Sequence, residues 1–177
     1  MTRIGIFFGT ETGRTRLIAK QIAKKLGERA AAPVNVAKAQ ATDLLAFEVL
    51  ILGTPTLGEG ELPGLATGLT QPSWAEFLPK IESLDFTGKL VAVYGLGEQV
   101  KYSEHFVSAL KPIYDTFEDC GATLIGQWPV TGYQFKGSAA VEDGHFLGLA
   151  LDQINQPLLT AERVDAWLEQ LKQSFPS

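Results

Sequence analysis

Apolar positions along the chain fall into short unbroken runs, separated by longer stretches with a four-residue beat. Arg3 to Phe8 (RIGIFF) shows no alternation of apolar and polar residues, the pattern of a strand covered on both faces. Val49 to Leu52 (VLIL) and Leu90 to Tyr94 (LVAVY) repeat it, Val34 to Ala37 is a weaker version, and a fifth strand is predicted from Ala122 to Trp128. From Arg14 to Arg29, Ile18, Ile22 and Leu26 recur every four residues while Lys20, Lys24 and Lys25 keep largely off that stripe, which predicts an amphipathic helix. Ser73 to Leu84 predicts a second helix capped by Ser73, and a third is predicted from about Ser103 to Asp119, kinked or broken at Pro112. A last helix follows Thr160, with Val164, Trp167, Leu168 and Leu171 on one face.

Buried strands alternating with helices call for an α/β fold: a doubly wound parallel sheet with helices on both faces and right-handed crossovers, in one domain over residues 1–177. Residues 129–145 (PVTGYQFKGSAAVEDGH) break the scheme, being too long for a tight loop and too rich in glycine for a helix. They are followed by FLGLALD, which reads as strand again. A long excursion is therefore expected to interrupt the fifth strand.

Composition narrows the classes of function. Apolar residues make up 45% of the chain and charged ones 20%, as in soluble globular proteins, and the formal net charge of -5 argues against a nucleic-acid partner. Cys120 is the only cysteine, so no disulfide within the chain and no multi-thiolate metal site is available; it reads as a half-buried thiol near a helix end. His105 and His145 are too few and too far apart for a metal centre and read as surface residues. No apolar run approaches the roughly 18 residues of a membrane span, and the first residues lack the features of a secretory signal. A cytoplasmic protein without a membrane partner is expected.

Ligands of open parallel sheets bind beyond the carboxyl ends of the strands, which directs attention to three loops. GTETGRT follows the first strand: Gly9 and Gly13 allow a tight turn and a close approach, the first helical amides lack acceptors, and Thr10, Thr12 and Thr15 add hydroxyls. A triphosphate loop would need four residues between the glycines and a following lysine, whereas three residues and Arg14 stand here, and no G-x-G-x-x-G occurs in the turn. The loop suits one monophosphate, neutralised mainly by dipoles and hydroxyls, although an ordinary capped turn is the bland alternative. GTPTLGEGELPG and GLGEQVKY, after the third and fourth strands, add Leu57 and Tyr102. Together the loops suggest a flat ring on a phosphate tail.

FFGTETGRT, TPTLGEGELPG, YGLGEQVKY and GLALDQINQ together resemble flavodoxins, over nearly the whole chain, and the interrupted fifth strand is similar to the long-chain group. The resemblance, rather than the pattern, implies five strands in the order 2-1-3-4-5 with FMN at the point where the order reverses. It implies that Thr10, Glu11, Thr12, Gly13, Arg14 and Thr15 hold the phosphate, Glu11 through its amide. Thr56, Leu57, Gly58, Glu59 and Gly60 would cover the inner face of the isoalloxazine and Tyr102 the outer, with Leu96, Gly97, Glu98, Gln99, His105 and Asp152 completing the implied flavin-binding set. Leu57 stands where many relatives carry tryptophan, which implies weaker stacking; relatives serving nitrogen fixation share the leucine. Glu98 replaces a usual aspartate, Lys101 a glycine common before the stacking tyrosine, and Ile154 the second aspartate of a D-x-D-N-Q pattern, while Asp152 and Asn155 remain.

The function implied is that of a monomeric one-electron carrier, not an enzyme: the flavin supplies the redox chemistry and the protein sets its potentials. In flavodoxins the N5–H of a neutral semiquinone donates to a backbone carbonyl, by resemblance that of Gly58 after a peptide flip. Glu59, Glu61 and Glu98 near the reduced ring imply a low potential and steering toward basic partner surfaces. Residues 63–81 together with TPTLGEGEL are most similar to flavodoxins that reduce the nitrogenase iron protein; a general metabolic flavodoxin is the alternative. Flavin or iron-sulfur reductases, among them pyruvate-dependent oxidoreductases and ferredoxin-NADP reductase, or photosystem I would supply the electrons. A quinone reductase of the same fold would need room for a nicotinamide where Tyr102 caps the ring. A signalling receiver would need paired carboxylates after the first strand and an aspartate after the third, where this chain has FFGTETG and GTPTLG.

Overall fold

The computed structural model describes residues 2–176. Strands β1 (Ile4–Phe8), β2 (Val34–Asn35), β3 (Val49–Pro55) and β4 (Leu90–Leu96) run parallel in the order β2-β1-β3-β4, and β5 (Thr123–Ile125) pairs with the first half of β4. The chain then leaves the sheet. β6 (Trp128–Pro129), β7 (Val141–Glu142) and β8 (His145–Phe146) form a small antiparallel sheet in the order β6-β8-β7. β9 (Leu149–Leu151) returns to pair in parallel with the second half of β4, Tyr94 opposite Leu149 and Leu96 opposite Leu151. The predicted interrupted fifth strand is thus two short strands on one edge of β4.

Helices α1 (Arg14–Leu26), α2 (Trp74–Ile81), α3 (Leu110–Asp119) and α4 (Thr160–Lys172) cover both faces. Strand residues alternate between two apolar layers. Ile4, Ile6 and Phe8 pack with Ile18, Ile22, Val164, Trp167 and Leu171 of α1 and α4. Phe7, Leu50 and Val91 pack with Trp74, Phe77, Ile113 and Phe117 of α2 and α3. Every residue of β1 is buried, which explains its unbroken apolar run. The ends of the described chain meet, Thr2 Oγ1 donating to the Pro176 carbonyl at 2.8 Å.

Several boundaries differ from those the pattern predicts. The helix predicted over 103–119 begins only at Leu110: a series of turns leads into it, and Val107 stands at φ +48°, outside helical space. Pro112 is therefore in the first turn, where its missing N–H costs no helical bond, and it neither kinks nor breaks α3. β2 is only two residues long because the Asn35 side chain accepts from the Ala37 N–H and starts a 3-10 turn over Val36–Lys38. α1 stops at Gly27, at φ +66°, with a 3-10 turn completing the predicted stretch to Arg29. Trp128 belongs to the small sheet, not to the strand predicted through it. Phe146 pairs there too, which shortens the FLGLALD strand to its last apolar triplet.

Candidate functional site

The ends of β1, β3, β4 and β9 are fastened to one another by backbone bonds. Gly9 N–H donates to the Gly53 carbonyl at 3.0 Å, Thr56 N–H to the Leu96 carbonyl at 3.0 Å, and Gly97 N–H to the Leu151 carbonyl at 3.0 Å. Beyond these ends opens a cavity of about 330 Å³, within the usual range for small-molecule sites. Its walls come from every predicted loop: Glu11, Thr12, Arg14 and Thr15; Thr56, Leu57 and Gly58; Leu96, Gly97, Glu98 and Tyr102.

The end of the cavity formed by residues 11–15 is built for an anion. Gly13, at φ +91°, turns the chain into α1 and uses its own N–H on the Thr10 hydroxyl at 2.9 Å. Among the described residues, the N–H groups of Glu11, Thr12, Arg14 and Thr15 find no protein acceptor, so four donors at a helix N-terminus are left for a ligand. The Tyr94 hydroxyl, buried below, donates to the Thr15 carbonyl at 3.0 Å and braces the first turn; burial pushes its pKa well up and keeps it a donor. Gly9 has another task than approaching a ligand: a Cβ there would collide with the Ser73 hydroxyl and stand 2.7 Å from Trp74.

The loop after β3 is a closed turn. Leu57 N–H donates to the Glu61 carbonyl at 2.9 Å, and Glu61 and Gly60 donate back to the Leu57 carbonyl at 2.8 and 3.1 Å. Gly58 takes φ +48° at its tip, a backbone that few side chains tolerate. Leu57 is buried although it lines the cavity, and Tyr102 is half-buried, its ring 5.3 Å from the Lys101 ammonium. Lys101 thus sets a cation against the tyrosine face.

Not every predicted residue faces the cavity. Thr10 lines, with Glu11, Asn35 and Ser73, a smaller neighbouring cavity of about 150 Å³. Glu59 is exposed on the turn, and Gly60 sits against Ser108 and the half-buried His105, outside the walls. Gln99 and Asp152 are buried and face each other: Asp152 Oδ2 accepts from Gln99 N–H at 3.0 Å, Gln99 Nε2 at 2.9 Å and Asn155 Nδ2 at 2.8 Å. Burial works to raise the Asp152 pKa, but these bonds together hold it below the usual carboxylate range.

The walls also include Pro55, Thr67, Gln153 and Ile154. Gln153 and Ile154 directly follow Asp152 in LDQIN, a signal the sequence offered. Thr67 arrives through the 3-10 turn Leu65–Thr67, its hydroxyl donating to the Leu62 carbonyl at 2.9 Å, and nothing in its local sequence marks it.

A polar end of free amides and hydroxyls, joined to a compartment lined by Leu57 and Tyr102, fits a phosphate-bearing aromatic cofactor. The flavodoxin family profile matches residues 6–167. A flavodoxin of Klebsiella pneumoniae is 49% identical over 98% of this chain and 99% of its own length. Flavodoxin 1 of Escherichia coli K12 is 45% identical, over 99% and 96% respectively. Among solved structures, a Fusobacterium nucleatum flavodoxin bound to flavin mononucleotide superimposes with a TM-score of 0.89 at 36% identity, covering 99% of this chain and all of that one. The chain belongs to the flavodoxin family.

Proposed function

We propose that this chain binds FMN in the 330 Å³ cavity and serves as a low-potential one-electron carrier, not as an enzyme. The observation that carries the reading is the set of unpaired amides at Glu11, Thr12, Arg14 and Thr15 opening onto the same cavity as Leu57 and Tyr102. The amides and the hydroxyls of Thr12 and Thr15 hold the phosphate, and Arg14 adds the cation among the wall residues of the described structure. Leu57 and Tyr102 provide apolar and aromatic surface for the ring, and Gly58 supplies a carbonyl at the tip of the turn, where glycine tolerates either orientation of the peptide. When bound, the flavin supplies the redox chemistry.

The protein's part is electrostatic. Glu59 and Glu61 on the turn and Glu98 in the wall disfavour added negative charge. One carboxylate about 10 Å away costs roughly 1.7 kcal/mol at an effective dielectric of about 20, on the order of 70 mV for one electron. Several such groups make the carrier a strong donor, and the potential of its more reducing step should lie well below that of free FMN. Anaerobic photoreduction with dye equilibration measures it; a value near that of free FMN contradicts the reading. The same titration should take the yellow protein through blue to pale.

Leu57 and the segment TPTLGEGEL support the nitrogenase iron protein as the acceptor, with flavin or iron-sulfur reductases of the cytoplasm as the source. Nitrogenase turnover driven by the photoreduced protein tests that partner. No turnover, with electron delivery to other cytoplasmic acceptors intact, assigns the chain to general metabolism instead.

A further inference from the structure

α1 carries Arg14, Arg16, Lys20, Lys24 and Lys25 and no acid, in a chain whose formal net charge is -5. Its buried stripe, Ile18, Ile22 and Leu26, packs on the sheet; the opposite face presents Leu17, Lys20 and Lys24 with Arg16 beside them, all exposed. Leu17, amid these cations, is 58% exposed. Among the described residues Lys25 pairs with Asp165 of α4, whereas Arg16, Lys20 and Lys24 have no carboxylate partner. Folding does not explain this stripe. Arg16, Lys20 and Lys24 follow one another at four-residue spacing, so like charges meet on adjacent turns and weaken the helix. Arg16 also stands in the first turn, where the helix dipole disfavours a cation, and unlike Arg14 it does not line the cavity. An apolar side chain ringed by exposed cations has the make-up of a contact surface, and an acidic surface complements it.

We propose that the outer face of α1 docks an acidic redox protein, separately from the acidic turn of Glu59 and Glu61 that faces basic partners. The helix is roughly 20 Å long, and its first residue, Arg14, lines the cavity, so a partner seated along it lies beside the cavity mouth. One electron then passes between the partner and the flavin, one losing what the other gains. That transfer rests on the flavin reading of the cavity; the docking does not. A carrier meets a donor and an acceptor in turn, and two faces of opposite sign let these be proteins of opposite charge. An extended polyanion such as a membrane or a nucleic acid fits less well, because in covering α1 it also meets the exposed Glu11 and Glu28 at the two ends of the helix.

The test measures by calorimetry the binding of a purified acidic iron–sulfur ferredoxin to the full-length protein, with and without FMN. About 0.1 M salt is used, where charges more than roughly 10 Å apart are largely screened. Lys20→Glu with Lys24→Glu should weaken binding at least tenfold, and Leu17→Ala, which leaves the charge alone, about threefold. Lys38→Glu with Lys80→Glu changes the net charge by the same amount at exposed positions away from α1 and should change affinity less than twofold. With FMN bound, electron transfer from the reduced ferredoxin in stopped flow should slow in step with the lost affinity. Equal weakening by the two double variants, or no binding by the unaltered protein, overturns the proposal. So does tighter binding to phosphatidylglycerol vesicles or duplex DNA than to ferredoxin, lost with Lys20→Glu and Lys24→Glu, which makes α1 a membrane or nucleic-acid face. Ferredoxin binding through α1 by a protein that takes up no FMN supports the docking and overturns the flavin reading, and the electron transfer with it.

Discussion

A carboxylate sealed from solvent persists only with a full complement of donors, and Asp152 accepts five hydrogen bonds, from Gln99, Ile154 and Asn155. Its pKa is lowered in the folded protein, so its contribution to stability is complete above the unfolded value of about 3.9 and fades as pH falls through the lower folded value. Asp152→Asn should cost about 1–3 kcal/mol at neutral pH and make acid unfolding below about pH 4 less steep, as followed by circular dichroism. Gly53 is as constrained sterically, since a Cβ there would fall inside the Tyr94 ring. Gly53→Ala should destabilise by about 1–3 kcal/mol in urea titrations, and an unchanged midpoint would show that the ring can yield. At this scale the anion end was legible because its cause is local: two glycines, three threonines and a helix start within seven residues. The setting of Asp152 was not legible, for the opposite reason. Which way a buried carboxylate turns depends on Gln99, 53 residues away.

Elements follow the same division. The strands under β-formers and the faces of α1 and α4 are where the periodicity puts them, because burial on a known face needs no distant partner. The start of α3 was misread because Ser103–Ala109 has acceptable helical composition, whereas turn bonds of its own, such as His105 N–H to the Tyr102 carbonyl and Ser108 N–H to the His105 carbonyl, together with bonds to the excursion set its shape. The prolines sharpen the point. Pro112 sits in the first turn of α3, so Pro112→Ala should change stability by less than about 0.5 kcal/mol. Pro79 is exposed in the interior of α2, and Pro79→Ala restores a donor for the Ala75 carbonyl; it should stabilise by roughly 1–3 kcal/mol in thermal or urea unfolding. Equal effects from the two substitutions would contradict the observed helix boundaries. The excursion was predicted as an interruption, but its inner sheet and its cation–π clamp were not. In that clamp the Arg163 guanidinium lies 3.9 Å from the Tyr133 ring centroid, a contact between parts of the chain that no local pattern relates.

For the molecule as a whole, charge is unevenly spread. α1 holds five of the 15 lysines and arginines and none of the 20 acids, leaving ten cations against 20 carboxylates in the remainder. The acidic remainder includes Glu59 and Glu61 beside the cavity, so electron delivery to a basic partner should slow about tenfold from low to high salt in stopped-flow measurements. A rate indifferent to salt would remove electrostatic steering from the account. The fold also distributes its three tryptophans in an experimentally useful way. Trp74 donates to the Gly53 carbonyl beneath the cavity, Trp128 to the Tyr133 hydroxyl inside the excursion, and Trp167 to the Gly126 carbonyl where α4 meets the end of β5. Each indole is therefore a separate optical reporter, and variants retaining one at a time would show by fluorescence which part of the molecule opens first.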